Sequence, residues 1–283
     1  MSKPPFKPDE VGEWSILKLD IVEKYGHGYT TAFRNERGAY LKKYYIDGFS
    51  GAGVHVVKRT RQEIQGSPKR ALNVTPPFDG FHFIDLNPAK TGHLEQLCEG
   101  RENVWIHTND ANKRLKMLLP TFKYENYKRA LCLLDPYGLQ LDWEVMQMAG
   151  QVGTIDMFLN FPIMDMNRNA FLWKPELADP DDIARMTRFW GDDSWRQVAW
   201  ADSKQPDMFR VTELEKQPNK VIAEAFRERL KKVAGFTYVP EPLPMTNSKN
   251  AVVYYLFFAA RNPAAGNIIE SIFTRARKGA YRT

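Results

Sequence analysis

Residues 44–53 of the 283-residue chain read YYIDGFSGAG. An apolar run from Tyr44 to Ile46 meets a carboxylate at Asp47, and Phe49 stands among three glycines, Gly48, Gly51 and Gly53. In an open α/β sheet, ligands sit beyond the carboxyl ends of the strands, and glycines let the backbone bend sharply and approach a ligand. The stretch therefore predicts a first strand that ends in a binding turn. A turn built for a pyrophosphate would lead straight into a helix whose amino terminus takes the phosphate. Here VHVVKRTRQEIQ (54–65) intervenes. A helix starts only at GSPKRAL (66–72), where Ser67 suits an N-cap and Pro68 a first turn.

Working outward, EWSILKLDIVEKY (13–25) has apolar residues at helical spacing. Further strands are predicted at FHFIDL (81–86), VWIHT (104–108), ALCLLD (130–135) and IDMFLNF (155–161). Helical stretches lie between them, near 67–74, 88–99, 111–119 and 142–150. Short, continuously apolar strands separated by helices imply a mostly parallel sheet covered on both faces. After a helix near 218–234 come FTYVPEPLPM and AVVYYLFFAAR, then a last helix over 263–278. Prolines 240, 242 and 244 demote the first of these two strands to an edge or a bulge. A helix, two antiparallel strands and a final helix close a Rossmann-like class I methyltransferase sheet. The expected organisation is 1–162, a helical insertion at 163–217, and 218–283 completing the first unit.

The net charge of +6 leans weakly toward polyanionic partners, because lysine and arginine are spread along the chain. Cys98 and Cys132 lie in apolar segments, as free thiols do in a reducing compartment. No metal-ligand spacing, signal-peptide core or membrane-length apolar run is evident, so a cytoplasmic protein is expected.

An acid before the glycines suits a cationic, hydroxyl-rich ligand, and S-adenosylmethionine fits. Its ammonium wants a carboxylate such as Asp47, and its main chain can lie over Gly48 to Gly53. The alternative is a tight turn without a ligand. The second strand ends at Asp85, beside Leu86, where an acid can accept from two ribose hydroxyls. Asn109 and Asp110 follow the third strand, in reach of an adenine edge, although Asp110 is equally placed to cap the next helix. Three successive strands ending near acids resemble the cofactor motifs of class I S-adenosylmethionine-dependent methyltransferases.

The fourth strand ends in LLDPYG (133–138). Asp135 can accept hydrogen bonds from an exocyclic amine, Pro136 stiffens the turn, and Tyr137 can stack on a flipped base. The stretch resembles the Asp-Pro-Pro-Tyr motif of adenine-N6 methyltransferases but lacks its second proline. It stands nearer the Asp-Pro-Phe-Gly form of some transfer-RNA guanine-N2 methyltransferases. Asn160, in FLNFP (158–162), could offer an amide oxygen to the same pocket, with Phe161 as a wall.

In order, YYIDGFSGAG, GSPKRAL, FIDLNP, LLDPYG, FLNFP and YYLFFAARNPAAGNII are similar to the three-Cys-motif partner protein family. The resemblance covers about 14–165 and 218–278. It implies a methyltransferase-like fold and a functional partner, the three-cysteine, radical-S-adenosylmethionine-like product of a neighbouring gene. It implies no particular substrate.

The insertion carries Trp173, Trp190, Trp195 and Trp200, and DPDDIARMTRFW (179–190) begins as a capped helix. Such tryptophans either fill a local core or build a lid or docking face. Trp190 and Trp195 are expected near the open end of the sheet, since the segment leaves from strand five. Lys58, Arg59 and Arg61 form a solvated loop or a phosphate contact. Two functions follow: a methyltransferase acting on an amine of a nucleic acid base, or a non-catalytic or cofactor-binding partner subunit that transfers no methyl group. A nuclease is a weaker third.

Overall fold

The computed structural model describes residues 6–34, 40–202 and 214–279. Its centre is a seven-stranded sheet. In chain order the strands are β1 (Lys42–Asp47), β2 (Gly80–Asp85), β3 (Val104–Thr108), β4 (Lys128–Leu134), β5 (Ile155–Phe161), β6 (Leu243–Thr246) and β7 (Val252–Ala259). Their order across the sheet is β3-β2-β1-β4-β5-β7-β6. Strands β1 to β5 pair in parallel, whereas β7 runs antiparallel to both β5 and β6. This is the mostly parallel Rossmann-like methyltransferase sheet that the sequence predicts. Strand order reverses between β1 and β4, so the crevice beyond Asp47 and Asp135 is where such a sheet binds its ligand.

The helices are α1 (Glu13–Ala32), α2 (Ser67–Leu72), α3 (Pro88–Leu97), α4 (Ala111–Leu118), α5 (Trp143–Val152), α6 (Ile163–Asn169), α7 (Pro180–Trp190), α8 (Trp195–Ala199), α9 (Asn219–Lys232) and α10 (Pro263–Arg277). On one face of the sheet, Tyr45, Phe83, Leu133, Phe158 and Phe258 pack under α1, α2, α3 and α10. On the other, Ile46, Cys132, Met157, Leu159 and Phe257 pack under α4, α5 and α9. The side chains alternate between these two cores, as strand periodicity requires. Helix α1 runs well past the predicted end at Tyr25, and Gly26 and Gly28 let this added stretch pack closely on its neighbours. A Cβ on Gly28 would stand 3.0 Å from Ile268 of α10.

At the far edge, β6 contains Pro244, and its register shifts between Met245 and Thr246. A proline without a ladder donor is tolerated there. An unpredicted three-stranded sheet covers the turn after β1. In it, Val54–Val57 pairs antiparallel with Glu63–Gln65 and parallel with Asp9–Val11. Strands of three or four residues are too short to show periodicity.

The insertion shares the core of α5 and α9. Trp190, Trp195 and Trp200 are buried there, while Trp173 is exposed. Phe189 packs on Phe161, the last residue of β5, at 5.8 Å between ring centroids. The Arg229 guanidinium lies 4.8 Å from the Trp143 ring at the start of α5 and 5.9 Å from Trp190. Trp190 thus sits at the carboxyl-end side of the sheet, as packing. Residues 203–213, the middle of the C-terminal half of this insertion, lie outside the described residues.

Candidate functional site

The turn after β1 is stitched to both neighbouring strands. The Gly48 amide donates to the Leu133 carbonyl (2.9 Å), and the Ser50 amide (2.9 Å) and hydroxyl (3.1 Å) donate to that of Ile84. Gly51 and Gly53 adopt φ of 62° and 80°, a region that disfavours side chains. Asp47 is completely buried. Its Oδ1 accepts from the Phe49 amide at 3.3 Å and its carboxyl also bonds the Ser67 side chain. Burial raises its pKa to about 7, with nearby Asp135 adding to the shift. Asp47 therefore shapes the turn from within and presents no surface to an ammonium. Ser67, read as an N-cap, is instead the first residue of α2, after Gly66.

Asp85 closes the same turn. Its Oδ2 accepts from the Gly51 amide (2.9 Å) and its Oδ1 from the Asn87 amide (2.8 Å), so both oxygens are oriented and retain lone pairs for hydroxyl donors. Leu86 stands exposed beside it, and Asn109, also exposed, donates its amide to the Asp85 carbonyl at 3.1 Å. Asp110 is the N-cap of α4, accepting from the Lys113 amide at 2.9 Å.

Asp135, 27% exposed at the end of β4, is ion-paired with Lys18 of α1, whose side chain is buried. The Lys18 ammonium also lies 5.7 Å from the Tyr254 ring centroid. Next to Asp135, the Tyr137 hydroxyl donates to Asp9 Oδ2 (2.9 Å), which Lys90 Nζ also approaches (2.7 Å). Burial pushes the Tyr137 hydroxyl well above its ordinary range, and Asp9, Asp135 and Asp85 all add to that rise. Asp9 also lies over the glycine turn, with Oδ2 3.6 Å from where a Gly51 side chain would begin. His55 is held neutral by burial and by Lys18, and its Nδ1 is buried without a partner. Asn160, on β5, likewise has a buried and unpartnered Oδ1.

Pro136 is buried and Gly138 takes φ of 66°. A Cβ on Gly138 would stand 2.5 Å from Asp165 Oδ2, so α6 buttresses this loop.

One expected contributor, Phe161, does not reach the site. Phe161 is completely buried against Phe189, Phe226 and Phe257, because its place on β5 points it into the core under α9. Arg59 and Arg61 are occupied by Glu13 and Glu10, both at 2.5 Å, which clamp the exposed Lys58 loop to the amino-terminal segment. Asp9, Lys18, His55 and Lys90 were missed. Lys18 alone left a signal, since it shares helical spacing with Ser15, Leu19 and Val22 on the apolar side of α1. Among the described residues, no group of three His, Cys, Asp or Glu side chains could hold a metal ion, and no helix is long and apolar enough to cross a membrane.

No protein-family model matches the chain, and no curated protein matches its sequence. Among solved structures, a Legionella pneumophila protein of the DUF519 family aligns over 93% of this chain and 91% of its own, at 13% identity and a TM-score of 0.51. That likeness is one of fold. An S-adenosylmethionine-dependent methyltransferase from Anabaena variabilis aligns over 92% and 96% of the two chains, at 9% identity and a TM-score of 0.33, too loose a superposition to bear on function.

Proposed function

We propose that this protein is an S-adenosylmethionine-dependent methyltransferase acting on an exocyclic amine of a nucleic acid base. The observation that carries the reading is the left-handed glycine turn at the end of β1, with the Asp85 carboxylate oriented by the Gly51 and Asn87 amides beside it and Asp135 at the end of β4 across the crevice.

The residues present fit the cofactor. Asp85 offers oriented acceptors for ribose hydroxyls, Leu86 and Asn109 stand exposed beside it to take an adenine, and the glycine turn is lined by Asp9 over Gly51 and Leu94 against Gly53. When bound, S-adenosylmethionine supplies an electrophilic methyl group on a sulfonium. Asp135 accepts a hydrogen bond from the target amine and keeps its lone pair directed. The unpartnered Asn160 Oδ1 is a second acceptor of the kind that an amine or ammonium would satisfy. Tyr137, 57% exposed, offers a ring face for a base. Lys18 holds Asp135 in place through their ion pair.

The three-cysteine protein expected from the family resemblance is proposed as the partner. The Lys18–Asp135 pair also supports a second reading, a subunit that binds the cofactor and serves that partner without methyl transfer, because the ammonium already occupies the carboxylate. Calorimetry with S-adenosylmethionine and its demethylated product tests the cofactor. Transfer of labelled methyl to DNA and RNA, with and without the partner, separates the readings. No binding at millimolar cofactor sinks the methyltransferase reading and leaves a subunit that serves the partner without the cofactor.

A further inference from the structure

The edge of the sheet away from the glycine turn carries a column of rings. Trp105 of β3 is 43% exposed and stacks on His82 of β2, with centroids 4.8 Å apart and planes at 21°. His82 in turn stacks on Tyr44 of β1 at 6.0 Å. Gly80 makes room for the column, since a Cβ there would stand 2.6 Å from the Tyr44 ring and 2.8 Å from Trp105. His82 shares a hydrogen with His107 across 3.2 Å, and burial holds both rings neutral, so the column is aromatic and uncharged.

Cations flank it. Lys128 Nζ lies 5.4 Å from the Tyr44 centroid and has no carboxylate partner among the described residues. Lys42 is its register partner on β1, and the Lys42 amide donates to the Tyr127 carbonyl at 2.8 Å. Tyr127 is 61% exposed. Asp79 is the carboxylate facing this edge, at 3.7 Å from Lys42 and 3.0 Å from Lys43. Accessible ring faces interleaved with ammonium groups are what a strand of unpaired bases requires, stacking for the bases and charge for the phosphates. A duplex hides its base faces and gains only the charge.

We propose that the ridge from Tyr127 through Lys42 and Lys128 to Tyr44 and Trp105 binds single-stranded nucleic acid. Bases stack on Trp105 and Tyr127, and phosphates meet Lys42 and Lys128. The proposal rests on the nucleic-acid reading above and adds a docking surface for the substrate strand. Lys42 and Asp47 are the two ends of β1, about 17 Å apart at the usual rise per residue, so the ridge and the candidate site address different nucleotides of one strand.

The test is fluorescence anisotropy of a labelled mixed-sequence single strand and its duplex, without cofactor, over a salt series. The wild type binds the single strand more tightly. Trp105→Ala weakens it by about tenfold, the scale of one lost stacking contact, and Trp105→Phe restores most of the affinity. Tyr127→Asn, which tolerates the left-handed backbone at that position (φ 53°), weakens single-strand binding without disturbing the fold. Lys128→Gln lowers the slope of log affinity on log salt by about one. Trp173→Ala, on the insertion, changes nothing. Equal affinity for the duplex, or unchanged binding by both Trp105→Ala and Tyr127→Asn, overturns the ridge. Because the measurement needs no methyl transfer, an inactive protein that shows these losses refutes the proposed activity and leaves the ridge standing.

Discussion

The Tyr137 hydroxyl donates a 2.9 Å hydrogen bond to Asp9 Oδ2, joining the amino-terminal strand to the loop after β4 across 128 positions. The same oxygen meets Lys90, whose side chain is 14% exposed. Asp9→Ala leaves that ammonium without its counter-charge and the phenol without its acceptor. A loss of about 1–3 kcal/mol is expected in urea denaturation, less than for a fully buried pair. Adding Lys90→Met should recover part of it, and a purely additive double variant would show that the two residues do not interact.

Cofactor affinity should follow Asp85. Asp85→Ala removes the ribose acceptor and also releases the Gly51 and Asn87 amides that shape the turn. Calorimetry is expected to show binding weakened by about 1–3 kcal/mol, and Asp85→Asn, which keeps one acceptor oxygen, should fall between. Equal affinities for all three proteins would place the ribose elsewhere.

Methyl transfer should depend on Asp135. Asp135→Ala is expected to abolish transfer but also strands the buried Lys18 ammonium. Asp135→Asn is the cleaner probe, with transfer lost and thermal stability closer to wild type. Tyr137→Ala should weaken target binding by about 1–3 kcal/mol, the scale of one base-stacking contact. Undiminished transfer by Asp135→Asn would move attention to Asn160.

The loop that presents these residues has little room. Gly138→Ala combines a left-handed backbone with a Cβ 2.5 Å from Asp165 Oδ2. It should destabilise by about 1–3 kcal/mol, with Asp165→Ala relieving only the steric part. Chemical denaturation of the single and double variants gives the split.

Asp156, buried at the start of β5, accepts from the Tyr25 hydroxyl at 2.6 Å, and burial raises its pKa to about 7. The folded protein therefore holds this proton where the unfolded chain has lost it. Between about pH 4 and pH 7 the folded state binds more protons, so this group lowers stability as pH rises. Asp47 acts in the same direction, while His82 and His107, with pKa lowered to about 3 and 4, act in the opposite one. Asp156→Asn should match wild type near pH 4 and exceed it by on the order of 2–4 kcal/mol at pH 8. A constant difference across that range would mean that Asp156 is ionised in the fold.

The sheet was legible because β4 and β5 are near-continuous apolar runs buried on both faces, and β1, β2 and the half-exposed edge strand β3 each carry an apolar stretch bounded by turn residues. The strand-end acids were legible too, but their tasks only in part. The cap at Asp110 was legible from the helix that follows it, whereas the sealing of Asp47 inside its turn was not, because that depends on what covers the strand end. Phe161 read as a pocket wall because residue type does not reveal the direction of the last side chain of a strand. Asp9 was silent, and Lys18 left only its helical spacing, for a different reason. A lysine is normally solvated, and only Asp135, 117 residues away, makes burial of this one tolerable. The strand Asp9–Val11 exists only because Val54–Val57 offers it an edge.

Helix α1 lies against α10, and its Tyr25 ring packs 4.7 Å from Phe258 of β7. A chain made from its amino terminus thus releases its first helix long before the surface that receives it exists. Lys18 cannot be held against Asp135 by a finished scaffold until β7 and α10 have left the ribosome. A nascent chain stalled before residue 252 would expose the apolar side of α1 to chaperones, and the candidate site would assemble only once β7 and α10 can pack against it.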